Sequence, residues 1–192
     1  MDSTQQAPEW SADVWFNHSG SLQLADLRGR VVALETFQML CPGCVSHGLP
    51  QAQRIRETFP EDQVAVVGLH TVFEHHDAMQ PHALEAFLHE YGVRFPVGVD
   101  RPGEGDTPET MARYRLRGTP SLLLFDRAGR LRAHHFGSVS DMRVGAEISA
   151  MLAEEMPASE PAIADSGQTN DSITNPSSCS ESACELNPTA KE

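Results

Sequence analysis

The chain has 192 residues, of which 40% are hydrophobic and 21% charged, the size and balance of one globular domain with room for an appended segment. Acids outnumber bases 27 to 14, giving a formal net charge of −13. That excludes the broadly basic surface needed for nucleic acid or an anionic membrane, and no run approaches the 18 or so apolar residues of a membrane-spanning helix.

In chain order, residues 1–12 read as a flexible amino terminus. Met1 to Glu9 is polar and acidic, without the basic and apolar stretches of a secretory signal, so the expected compartment is the cytoplasm. Val14 to Phe16 and Ser21 to Leu24 flank Asn17-His18-Ser19-Gly20 and read as a β-hairpin. After a turn at Leu27-Arg28-Gly29-Arg30, Val31 to Phe37 reads as a buried strand. Val45, Leu49, Ala52 and Ile55 then recur at helical spacing, with Pro50 expected to kink the helix. Val64 to Leu69 is a second strand, Pro81 to Tyr91 an amphipathic helix stopped by Gly92, Phe95 to Val99 a short extended piece, and Pro108 to Tyr114 a short helix. Ser121 to Phe125 and Leu131 to Phe136 pair through the turn Asp126-Arg127-Ala128-Gly129, and Ser140 to Glu155 forms the closing helix.

The folded unit is therefore expected over residues 13–155, as an α/β sandwich with a mixed sheet. Residues 156–192 lack aromatic residues and set six acids against Lys191, so they read as an acidic disordered tail. That tail carries Cys179 and Cys184.

Cys41-Pro42-Gly43-Cys44 falls where a buried strand ends and a helix begins. Helix-start N–H groups and the helix dipole stabilise a thiolate there, which makes Cys41 the nucleophile and Cys44, one turn on, the resolving thiol. The alternative, half of a zinc site, needs a second ligand pair nearby, and no repeated C-x-x-C supplies one. His70, His75 and His76 cluster after the second strand, His47 lies on the helix behind the cysteines, and His134 and His135 point to opposite faces of the last strand. Such residues can ligate a metal, but loop histidines are more often solvated, and no metal or other cofactor is expected. His70 is instead a candidate for substrate binding or for tuning the thiols.

The combination of the cysteine pair, Leu24-Ala25-Asp26-Leu27-Arg28-Gly29-Arg30-Val31-Val32 before it, Phe95-Pro96-Val97, Gly118-Thr119-Pro120 and Phe125-Asp126-Arg127-Ala128-Gly129-Arg130 resembles the thioredoxin superfamily, specifically its TlpA-like/redoxin branch. The likeness spans about Asp13 to Glu155 and implies a thioredoxin-like fold, a mixed central sheet flanked by helices, with the hairpin as an amino-terminal extension. It implies a thiol–disulfide oxidoreductase whose Thr119-Pro120 peptide is cis, lies against the cysteines and binds the substrate backbone. It also implies that Glu35, six residues before Cys41, is a buried acid relaying a proton to Cys44; the residues alone equally allow a strand-end carboxylate facing solvent. Leu40 stands where many relatives have Trp, and Pro42-Gly43 reverses the commoner Gly-Pro, so the likeness carries no redox direction.

The expected partners are a disulfide-containing protein or small molecule and a thiol electron donor. Cys179 and Cys184 are candidates for an auxiliary relay, for metal binding or for a disulfide of their own. A peroxiredoxin-like peroxidase is the alternative enzyme, although Gln38 occupies the place, three residues before Cys41, where peroxidatic sites carry Thr or Ser. A non-catalytic metal- or partner-binding module is the third reading.

Overall fold

Strand β2 (Val31–Phe37) is buried at every position, because it runs through the middle of the sheet with helices on both faces. It pairs in parallel with β3 (Val64–His70), from Val31 opposite Val64 to Phe37 opposite His70, and antiparallel with β5 (Ser121–Phe125). Strand β4 (Val97–Asp100) extends the parallel side, and β6 (Leu131–Phe136) the antiparallel side. With β1 (Ala12–Phe16) on the far edge, the order is β1-β4-β3-β2-β5-β6. The computed structural model describes residues 6–154, all within one compact unit, Met1–Ala158. The segment called a tail, with Cys179 and Cys184, lies outside the described residues.

Alternation along β2 splits its side chains between two cores. Val31, Ala33 and Phe37 join Ile55 of α1 (Leu49–Thr58), Leu84 of α2 (Pro81–Glu90) and Ile148 of α4 (Asp141–Ala153). Val32 and Leu34 face the opposite core with Trp10, Leu24, Phe125 and Tyr114, the last from α3 (Glu109–Tyr114). Asp126 fixes the β5–β6 turn by accepting from the N–H groups of Ala128 (2.9 Å) and Arg130 (3.0 Å).

Two expectations fail at the amino terminus. Residues 7–12 are not a loose end: Trp10 is 2% exposed, its indole N–H donates to the Leu22 carbonyl at 2.6 Å, and the Ala7 N–H donates to Gly129 O at 3.0 Å. The hairpin is also absent, since β1 pairs antiparallel with β4 and Leu24–Leu27 forms a 3₁₀ turn. Asn17 explains the choice. Its side-chain amide donates to Val93 O (2.9 Å) and Phe95 O (3.1 Å), tying the end of β1 to the chain entering β4, while Trp15 fills the space that Gly98 leaves open. Truncation of Trp10 to Ala is expected to cost about 3–5 kcal/mol, read by urea denaturation, because a packed aromatic and its hydrogen bond are both lost.

Candidate functional site

The cysteines sit at the junction of β2 with the helical segment that follows it. Gln38 O accepts from Cys41 N–H (3.2 Å), and Cys41 O accepts from the N–H groups of Cys44 and Val45, each at 3.1 Å, so the helix begins on the first cysteine. Its next turn, Cys44–Gly48, is π-helical, with Leu49 N–H bonding back five residues to Cys44 O. Pro50, expected to kink the helix, is the second residue of α1 and follows directly on this π-helical turn. The wider turn before it absorbs the mismatch.

Cys41 and Cys44 lie at disulfide distance, with 5.2 Å between their Cα atoms. Cys41 is partly exposed beside the exposed Pro42 and Leu40, whereas Cys44 is wholly buried. The Cys44 N–H also points at Cys41 Sγ, 3.2 Å away, a contact that favours a thiolate when the bridge is open. The Thr119 carbonyl lies 3.5 Å from the same sulfur, and the Thr119–Pro120 peptide is cis. A Cβ added to Gly43 would stand 3.3 Å from the Pro120 ring, so this loop covers the motif closely. Gln38 braces the loop, its amide N–H₂ lying 3.5 Å from Thr119 Oγ1 and its carbonyl oxygen accepting from Phe73 N–H at 3.4 Å.

Glu35 is 1% exposed, and its Oε1 has no hydrogen-bond partner, so it does not face solvent. It lies under the helix at Gly48, one turn beyond Cys44, where a Cβ would meet Oε1 at 2.2 Å and Pro120 Cβ at 2.9 Å. Only glycine leaves the carboxyl its place. Burial raises the Glu35 pKa to about 8. A cavity of about 30 Å³, enough for roughly one water, is lined by Glu35, Gly48, Gln51 and Val139 and reaches His47 and Arg54.

His70 takes a different place from the one expected. It is 0% exposed, packed on Phe37 with ring centroids 5.4 Å apart, and neither ring nitrogen has a partner, so it presents no surface to a substrate. Its position at the inner end of β3, between two packed strands, is the reason, and burial lowers its pKa to about 4. The other histidines do not converge: His47 Nδ1 lies 2.7 Å from Ser46 Oγ, His76 Nε2 3.9 Å from Asp106, and His135 Nε2 2.6 Å from Glu147. Among the described residues no group of three or more His, Cys, Asp or Glu is placed to hold a metal. From the sequence, Gln38 is marked only as a departure from a peroxidatic site and Gly48 is not singled out; the available signal for Gly48 is a glycine inside a helical run, seven residues after the first cysteine.

The sequence model of the AhpC/TSA family matches residues 4–134, well over half the chain. The chain belongs to the AhpC/TSA family. The solved structure of a thioredoxin-like superfamily protein is 64% identical, with a TM-score of 0.78 over 79% of this chain and 99% of that one. A thiol-disulfide isomerase from Corynebacterium glutamicum is 53% identical, with a TM-score of 0.75 over 78% of this chain and 97% of its own. A thioredoxin-like protein solved in its oxidised form shares 22% identity and a TM-score of 0.65 over 80% of this chain and 98% of that one, a likeness of fold alone. No curated protein matches the chain. In this member of the AhpC/TSA family the fold is thioredoxin-like, as the resemblance implied.

Two outcomes follow from Glu35. The folded chain keeps a proton that the unfolded chain, with a carboxyl pKa near 4.3, has lost, so stability falls as pH rises from about 4.3 to about 8, by an amount on the order of 5 kcal/mol. His70 acts in the opposite sense, adding stability as pH rises from about 4 to about 6.5. Comparison with Glu35→Gln cancels the histidine: in urea titrations the variant is expected to gain on the native protein between pH 5 and pH 8. Gly48→Ala is expected to cost about 1–3 kcal/mol in the same assay, with part of that recovered in the Gly48→Ala/Glu35→Ala double variant, which leaves the contact with Pro120.

Proposed function

We propose that this thioredoxin-like thiol–disulfide oxidoreductase reduces disulfides through Cys41 as nucleophile and Cys44 as resolving thiol. The observation that carries the reading is the asymmetry of the pair: Cys41 is partly exposed and receives the Cys44 N–H, while Cys44 is sealed beneath it. In the reduced protein the Cys41 thiolate attacks one sulfur of the substrate disulfide, forming a mixed disulfide and expelling a substrate thiolate. Glu35, protonated at rest, first releases its proton through the small cavity beside it; its carboxylate then takes the proton of the Cys44 thiol, and the new thiolate attacks Cys41 Sγ. The second substrate thiolate leaves, two electrons have passed to the substrate, and the protein ends with the Cys41–Cys44 bridge. A carboxyl with a pKa of about 8 is suited to this transfer near neutrality, and the small cavity at Glu35 gives its proton a way out.

Thr119 and Pro120 frame the exposed sulfur and present backbone to an extended substrate chain. The substrate class in this reading is a disulfide-containing protein, consistent with the isomerase similar to this chain. An external thiol donor reopens the bridge. In the reducing cytoplasm, the compartment we assign, that donor pool favours the reductase direction. Cys179 and Cys184, outside the described residues, complete the proposal as a second pair that exchanges with the first. The peroxidase alternative has less support, because Gln38 offers an amide committed to Thr119 and Phe73 where a hydroxyl is wanted.

Cys41→Ser is expected to abolish turnover in a disulfide-reduction assay, with a loss of at least about 10³-fold, while Cys44→Ser accumulates a mixed disulfide visible by mass spectrometry. Disulfide mapping after mild oxidation tests the auxiliary pair: bridges shared between the two pairs support the relay, and their absence removes it. Peroxide consumption that exceeds disulfide reduction in rate would replace this reading with the peroxidase.

A further inference from the structure

The net charge of −13 hides a strong local reversal. Between Arg113 and Phe136 the chain carries six of its 13 arginines against one acid, Asp126. The fold gathers part of this excess along one groove. A depression of about 500 Å³ lies between the end of α3 and the edge strand β6, lined by Arg113, Tyr114, Arg115, Arg132 and His134. Arg132, His134 and Phe136 alternate on the exposed side of β6.

The groove leads to the cysteines. Arg117 lies over the Phe136 ring, 4.9 Å from its centroid, and Phe136, 46% exposed, packs against Gly118, where a Cβ would stand 3.1 Å from the ring. Gly118 precedes Thr119, whose carbonyl is 3.5 Å from Cys41 Sγ. Arg132 is tied to Glu154 (2.6 Å) and Asp126 (3.3 Å), and Arg113 lies 4.0 Å from Glu109. Among the described residues, Arg115 and Arg117 have no carboxylate partner within ion-pair distance.

From these contacts we infer that the groove binds an acidic, extended polypeptide segment that flanks the disulfide of the substrate. The inference rests on the oxidoreductase reading above and names the substrate that the site prefers. β6 is a free edge of the sheet, able to hydrogen-bond an added strand, and Phe136 lies four residues on from Arg132, roughly 13 Å of extended chain. Carboxylates two to six residues from the substrate cysteine therefore fall opposite Arg117, Arg115 and Arg132. Charge on an edge strand also guards against aggregation, but that need is met by β6 alone. It does not account for the unpaired Arg115 that the end of α3 brings to the groove, nor for the unpaired Arg117 over Phe136 beside it.

Two measurements on the full chain test the inference. The first uses eleven-residue peptides in which a central Ser replaces the cysteine and Asp, Ser or Lys fills the alternate flanking positions. Fluorescence anisotropy with the oxidised protein at low ionic strength is expected to show the Asp peptide binding at least about tenfold more tightly than the Lys peptide, with the preference largely gone at 0.5 M salt. Arg115→Gln/Arg117→Gln should reduce the preference to within about threefold. Equal binding of Asp and Lys peptides, or a preference unchanged in the double variant, overturns the inference. The second joins the same sequences, now with Cys, to a small thiol reporter, and follows its release by the reduced protein. The Asp peptide is expected to react fastest, and equal rates overturn the inference. If no peptide releases the reporter, the oxidoreductase reading fails, while the redox-free binding measurement still decides the groove.

Discussion

A carboxyl group confined without a partner beneath a helix is the constraint around which the site is arranged. Glu35 enters on a strand buried at every position, and its Oε1 lies beneath Gly48 without a hydrogen-bond partner. A side chain at 48 would lift the helix, and with it the two cysteines, away from the Thr119–Pro120 loop. Desolvation holds the proton on the carboxyl near neutrality, so the group rests as a neutral acid where a charged one would be costly. Such a burial lowers stability, and folds retain it where the proton has a task.

The thiols draw on the same junction for their unequal surroundings. The helix begins on Cys41, so that residue keeps a face toward solvent and receives an N–H group on its sulfur. Cys44, one turn deeper, packs into the core with Phe37 and Leu49. The π-helical turn between Cys44 and Gly48 reconciles this seating with Pro50, which cannot continue an ordinary hydrogen-bond ladder. One edge of the sheet then adds recognition to chemistry. Between Arg113 and Phe136 six arginines stand against one acid, Asp126, and folding places part of this excess on the side of the Thr119 loop where a substrate chain leaves the cysteines.

Much of this was legible in the residues. Val31–Phe37 and Ser121–Phe125 are mostly apolar stretches beside clear turns, Leu131–Phe136 follows the turn Asp126-Arg127-Ala128-Gly129, and their bounds agree with the strands formed. The amino terminus was misread because hairpin signals are local, whereas β1 takes its partner about 85 residues away, with Asn17 reaching across to Val93 and Phe95. His70 was misplaced for a related reason. Its position after an apolar strand suggested a loop, but β3 runs one residue further than its apolar run and carries the ring into the core.

The sequence by itself determined the redox pair, the strand before it and the helix after it, since the spacing of two cysteines and the pattern of apolar residues act over a few residues. Glu35 became a candidate acid only through the resemblance to thioredoxin-like proteins, since the residues alone equally allow a carboxylate facing solvent. Only the tertiary structure decided that this acid is sealed without a partner, that Gly48 makes its place, and that the arginines of an acidic chain converge on one groove. Burial and local field depend on which distant segments pack together, and that information is not carried by any short stretch of the chain.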